Sequence, residues 1–224
     1  RRGGGRAEHG ELRRMMSALS HRGPEGAAFG RMDRGALILG FLRLGFTGMG
    51  LCQQPLYNED YSIGLVYNGE IYNHVALRAD LIGRGHVFRT TSDSEVIIHL
   101  YEEHGDRFFE HLNGEFSFVL WDSRKDALLL VRDRFGVKPL LYAWHRDRFV
   151  FASEAKGILA LDGFTAELDP AHFAGPAIGL ADCAVTAFRG IRSVRPGHVM
   201  RVTRSGVREE AYWRPPFREV GGQG

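Results

Sequence analysis

The chain has 224 residues, of which 44% are hydrophobic and 11% aromatic, enough to bury a sizeable core and to exclude an intrinsically disordered protein. A formal net charge of +2 is too small to point to nucleic acid or a membrane surface as partner. Cys52 and Cys183 make neither a disulfide framework nor a metal spacing, no apolar run nears the ~20 residues of a membrane span, and no signal peptide opens the chain, so a reducing cytoplasm is the expected compartment.

The start, Arg1 to Arg6, is basic and glycine-rich. Leu12, Met15, Met16 and Leu19 recur at helical spacing and predict a short amphipathic helix over 10–19. Ala36 to Phe46 reads as a strand. Tyr61 to Tyr67 alternates like a strand and is expected to deliver an Asn68-Gly69 turn, after which Asn73 caps a helix carrying Val75, Leu77, Leu81 and Ile82. Ser92-Asp93-Ser94-Glu95 reads as a capping box opening a helix through Val96, Ile97, Leu100 and Tyr101. Two hairpins follow, Phe116–Trp121 with Ala127–Val131 and Leu140–Trp144 with Arg148–Ala152. Helices over 154–161 and 170–179, then strands near 188–194 and 198–202, complete the pattern. Strands outnumber helices and the hairpins are antiparallel, which predicts a layered α+β domain. The last eleven residues, 214–224, read as a linker.

The stretch Tyr67-Asn68-Gly69-Glu70-Ile71-Tyr72-Asn73 carries the most chemistry. It sets an amide side chain, a bare backbone N–H and a carboxylate side by side. The first two can hold a developing oxyanion; the carboxylate can hold an ammonium. That suits a zwitterionic amino acid with a carbonyl to be attacked, such as glutamine. Each residue alone has a plainer reading. Asn68-Gly69 is a common hairpin turn, Arg43 suits a surface ion pair, and an acid such as Asp93 in a first helical turn gains about 0.3–1 kcal/mol from the macrodipole.

Nine motifs in order tip the balance: His21 to Gly26, Arg43-Leu44, Gln54-Pro55-Leu56, Asn68 to Asn73, Ser92 to Val96, Leu112 to Phe116, Arg132 to Leu140, Ser153 to Lys156 and Pro196-Gly197-His198. Through them the chain, from about Leu12 to Trp213, resembles the N-terminal glutaminase domain of glutamine-hydrolysing asparagine synthetases, which are class II glutamine amidotransferases. The resemblance implies an N-terminal-nucleophile, four-layer αββα sandwich over residues 1–213. It implies L-glutamine as substrate, clamped by Arg43 at its carboxylate and held by Glu70 and Asp93 at its ammonium. Asn68 and Gly69 would form the oxyanion hole. Arg132-Asp133-Arg134-Phe135-Gly136 is read as structural support, and Lys138 as solvated surface. The resemblance also implies a partner, a C-terminal synthetase domain using ATP and Mg²⁺ to amidate aspartate or a related carboxylate, with a homodimer as one assembly open to the full-length protein. No cofactor is expected in this domain, and no metal, since the ten histidines show no HxxH, HxxxH or HExxH spacing.

Two departures qualify it. The nucleophilic cysteine of the family, in a Cys-Gly-Ile strand before the region matching Gly3–Arg6, is not in this sequence, and neither Cys52 nor Cys183 can present a free α-amino group beside its thiol. The chain as it stands is therefore expected not to hydrolyse glutamine. A cysteine lying upstream of Arg1 is favoured by the retained set Arg43, Asn68, Gly69, Glu70 and Asp93. The alternative is a degenerate, non-catalytic scaffold like that of β-lactam synthetase. The second departure is the glycine-rich stretch Gly45 to Cys52, which hints at a divergent subfamily.

Overall fold

The computed structural model describes residues 9–44, 54–173 and 182–216. Gly3–Arg6, the Gly45–Cys52 stretch, the expected helix beyond Phe173 and the final Phe217–Gly224 lie outside the described residues. In chain order the regular elements are α1 (His9–Ala18), β1 (Gly26–Met32), β2 (Leu37–Arg43), β3 (Leu56–Tyr57), β4 (Ile63–Ile71), α2 (His74–Gly83), α3 (Glu95–His104), β5 (Gly114–Asp122), β6 (Ala127–Arg132), β7 (Leu141–His145), β8 (Arg148–Ala152), α4 (Ala155–Leu159), α5 (Pro170–Phe173), β9 (Ile191–Ser193), β10 (His198–Thr203) and β11 (Gly206–Ala211).

A six-stranded sheet, ordered β11-β10-β6-β5-β4-β3, is antiparallel throughout. Its central strands are apolar at nearly every position because both faces are buried. Leu65, Tyr67, Phe118, Leu120, Leu129 and Val131 face one core, with α2, α3 and the 3₁₀ turn through Phe108 and Phe109. Their immediate neighbours Val66, Val119, Trp121, Leu128 and Leu130 face a second core with Leu39, Leu140 and Val194. That alternation is the period-two signature of a pleated strand, doubled.

The second core is closed by two smaller sheets, β1-β2 and β8-β7-β9. Behind them a third cluster joins Ala143, Ala152, Ile158 and Ile191 to Met15 of α1 and to Leu19 just after it. Glu11 in α1 forms a two-pronged ion pair with Arg148 of β8, which holds its carboxyl below the usual range. The layers are thus helix, sheet, sheet, helix, as the αββα expectation has it. Among the described residues no helix is long and apolar enough to cross a membrane.

Three local expectations are corrected. Asn68-Gly69 is not a turn: β4 runs through it, paired with β5 from Ile63↔Asp122 to Ile71↔Gly114. Asn73 stands at the start of α2 but its side chain does not cap it; it bonds instead to the carbonyl of His111 and the N–H of Asn113, tying α2 to the start of β5. The capping box does not close either. The Glu95 carboxylate turns back to accept the N–H groups of Arg89 and Thr90 and the Thr90 hydroxyl. These bonds and His99 hold the Glu95 carboxyl at about 2 against its burial. Burial would lower the His99 imidazole, but Glu102 and Glu95 override it and raise it to about 9.

Candidate active site

Tyr67 and Phe116 fix which way the β4 edge points. The Tyr67 N–H donates to Gln54 Oε1 at 2.6 Å and its carbonyl accepts Gln54 Nε2 at 3.0 Å, so the main chain of Tyr67 faces away from β5. Four residues on, the Ile71 N–H donates to Asp93 Oδ2 at 2.8 Å, on the same side. Gly69 lies midway, and strand alternation sends its N–H to that edge too. Its cross-strand neighbour Phe116 offers it no bond, because Phe116 gives its carbonyl to Asp133 N–H and its N–H to Asp133 Oδ2. β3 pairs with Leu65 and Gly64, so Gly69 lies beyond it on an edge that no strand among the described residues covers.

Only glycine fits there. Gly69 has φ +152°, and a Cβ on it would stand 2.2 Å from the Glu115 carbonyl oxygen. Beside it, Asn68 Nδ2 is buried with no hydrogen-bond partner among the described residues. A buried, unspent amide donor is costly in a scaffold and expected where a ligand completes it.

These groups line a cleft of about 1930 Å³ between the two sheet layers. Asn68, Gly69, Glu70 and Asp93 all contribute to its wall, with Gln54, His74, Ser92 and Glu115. Asp93 is held by the Tyr67 hydroxyl at 2.6 Å and the Ile71 N–H, both on Oδ2, leaving Oδ1 with only a 3.3 Å contact to the Ser92 hydroxyl. Burial, then Asp93, pushes the Tyr67 phenol far above its ordinary range, so it remains a donor. Glu70 is exposed and forms no ion pair among the described residues, while Glu115 opposite it is paired with Lys138 at 2.9 Å. The cleft wall thus carries two N–H donors, of Asn68 and Gly69, together with the carboxylates of Glu70 and Asp93.

Arg43 is placed differently. It ends β2, half-buried, and is not among the cleft-lining residues, although Leu42 and Leu44 on either side of it are. Lys138 is not free surface but part of the cleft wall. Cys183 is exposed and away from the lining; Cys52 lies outside the described residues. Tyr67 opens the Tyr67–Asn73 stretch and Glu115 lies in the Leu112–Phe116 motif, but the sequence assigns neither a role, and His74 carries no sequence signal. The buried Nδ1 of His74, without a partner, also belongs to the cleft.

The glutamine amidotransferase domain family matches residues 3–213. The glutamine-hydrolyzing asparagine synthetase 2 of Bacillus subtilis (strain 168) is 36% identical over 210 residues, covering 90% of this chain and 28% of that protein. The amidase chyE of Penicillium rubens is 36% identical over 206 residues, 91% of this chain and 30% of that one. The chain therefore spans less than a third of the length of either relative. Among solved structures, the glutamine phosphoribosylpyrophosphate amidotransferase of B. subtilis superposes with a TM-score of 0.70 at 21% identity, covering 94% of this chain and 48% of that one. At that identity the likeness shows a shared fold, the N-terminal-nucleophile sandwich.

Proposed function

Since the chain belongs to the glutamine amidotransferase domain family, we propose that it is the glutamine-binding, ammonia-releasing part of an asparagine-synthetase-like ligase. The observation that carries this is the unspent donor pair on β4: the buried, unpartnered Asn68 amide beside the edge-facing N–H of Gly69. The side-chain carbonyl of glutamine fits between them. Glu70 and Asp93 Oδ1, which holds only the 3.3 Å contact to the Ser92 hydroxyl, take the ammonium. Arg43, which stands between two cleft-lining leucines, is assigned the carboxylate.

The nucleophile in this reading is a cysteine preceding Arg1. Its thiolate adds to the amide carbon, and the oxygen takes up negative charge against Asn68 Nδ2 and Gly69 N–H. The C–N bond breaks, and the departing nitrogen takes a proton and leaves as ammonia. Water then cleaves the γ-glutamyl thioester to glutamate and regenerates the thiol. The ammonia passes to a synthetase domain with ATP and Mg²⁺, which amidates aspartate or a related carboxylate.

The test is a chain extended with Met-Cys-Gly-Ile, checked first for solubility, because the edge that β4 leaves open is an aggregation risk. Glutamine titration by calorimetry and glutamate release are both expected to be positive. A soluble, folded extended chain that binds no glutamine would sink the reading. Binding without turnover would favour the scaffold role instead.

A further inference from the structure

Away from the cleft, the link between α2 and α3 brings three donor atoms together. His86 Nδ1 lies 3.2 Å from His99 Nδ1. The same oxygen of Glu102, Oε2, lies 3.4 Å from His99 Nδ1 and 3.9 Å from His86 Nδ1. A zinc ion with Zn–N and Zn–O bonds of about 2.0–2.2 Å in tetrahedral geometry sets its ligand atoms about 3.3–3.5 Å apart. The three donors therefore already sit close to the spacing of one tetrahedral face.

The surroundings match as well. Histidine ligands usually give their second ring nitrogen to a carboxylate, which fixes the ring and the tautomer. Here His86 Nε2 lies 3.3 Å from Glu103 Oε2, and His99 Nε2 lies 3.7 Å from Glu95 Oε1. The remaining Glu102 oxygen accepts Asn58 Nδ2 at 3.0 Å. His86 and Glu102 thus each have an outer hydrogen-bond partner, and Glu95 stands within ion-pair distance of His99. His99 is buried, with its side chain 3% exposed, while His86 and Glu102 are 16% and 20% exposed, so one side stays open to water.

We propose that His86, His99 and Glu102 bind a divalent first-row transition ion of the zinc type, with water as fourth ligand. This departs from the expectation of no metal. The ion would clasp the loop after α2 onto α3, next to the 91–94 segment that brings Thr91, Ser92 and Asp93 to the cleft wall. The proposal stands apart from the glutamine reading, since it concerns occupancy and not turnover.

Metal-stripped chain is titrated with Zn²⁺ by calorimetry and with Co²⁺ by visible absorption. One ion per chain is expected, with the intense d–d bands of tetrahedral cobalt and a Tm that rises with Zn²⁺ concentration. His86→Gln and Glu102→Gln should each weaken binding at least ~10-fold while near-UV circular dichroism stays unchanged, and Glu103→Gln, acting through the His86 ring, by about 10-fold. The stacked pair His104 and His111, 4.0 Å between ring centroids, is the internal control, and the double change to alanine should leave binding intact. No uptake by folded chain, uptake indifferent to His86→Gln, or uptake lost only with His104 and His111 would each overturn the site.

Discussion

Two stretches of this molecule, Asn68 to Asn73 and Arg132 to Leu140, each combine polar side chains with a glycine, yet they spend their polar groups in different ways. In the second, the Arg132 guanidinium donates to the carbonyls of Gly136, Lys138 and Val194 and to the Ser193 hydroxyl. The buried Asp133 carboxylate accepts the N–H groups of Phe116, Phe135, Val137 and Lys138. The Asp133 carboxylate has nothing left over for a ligand, although the buried Nε of Arg134 in the same stretch has no partner among the described residues. In the first, among the described residues, Asn68 Nδ2 is buried and unused and the Gly69 N–H faces an edge that no strand covers. A saturated motif holds the chain together; an unsaturated one, held just as rigidly, is available for chemistry.

The sharpest way to break that contrast is Asp133→Ala. It leaves four backbone N–H groups without their acceptor, and a loss of about 3–5 kcal/mol is expected in urea unfolding. A loss under ~1 kcal/mol would mean that water replaces the carboxylate and the corner is not saturated. Next comes Asn68→Ala in the cysteine-extended chain. Glutamate release should fall by about 10²–10³-fold, equivalent to about 2.7–4 kcal/mol, while stability changes by less than ~1 kcal/mol because the removed amide nitrogen bonds nothing in the free protein. Equal losses of stability and rate would erase the distinction between the two stretches.

Tyr67→Phe probes the support beneath the open edge. It removes the 2.6 Å bond to Asp93 and should cost about 1.5–3 kcal/mol of stability, with a raised KM for glutamine. An unchanged KM would detach Asp93 from substrate binding. The smallest effect belongs to Glu154, held at about 2 chiefly by Arg22, with His21 and Lys156. Its folded value is depressed, so its contribution is present above about 4.5 and fades as pH falls toward 2. Being partly solvated, it is worth less than ~1 kcal/mol. Glu154→Gln should flatten the acid limb of the Tm–pH curve over that window and leave neutral pH nearly untouched.

What could be read beforehand were the elements with a strong internal rhythm. Both hairpins, β5-β6 and β7-β8, follow from alternating apolar runs around polar turns. β1 and β11 were not legible. Gly26 to Met32 is built of small residues and glycine, and Gly206 to Ala211 carries Arg208-Glu209-Glu210 on an exposed edge strand, so neither shows a buried period. Asn68-Gly69 misleads because Asn-Gly is a hairpin signal, whereas here glycine serves the close approach of two strands: a Cβ on Gly114 would likewise meet the Glu70 carbonyl at 2.1 Å. The capping box misleads because its glutamate has better partners in the preceding loop. Of the five expected glutamine contacts the cleft collects Asn68, Gly69, Glu70 and Asp93, while Arg43 stays outside its lining. His86, His99 and Glu102 escaped notice because a search by ligand spacing within one helix cannot see a donor thirteen residues upstream on a loop.

The strand order carries a consequence for biosynthesis. β4, β5 and β6 emerge together, but the strand that completes the far side of β6 is β10, and its own neighbour β11 ends at Ala211. At about 5–20 residues per second, translation takes ~4–16 s to travel from Arg132 to Ala211. Until β10 has emerged at Thr203, Leu128 and Leu130 have no finished wall on their side and the free edge of β6 has no neighbour. A ribosome-bound intermediate with that exposed margin is the species a nascent-chain chaperone would meet.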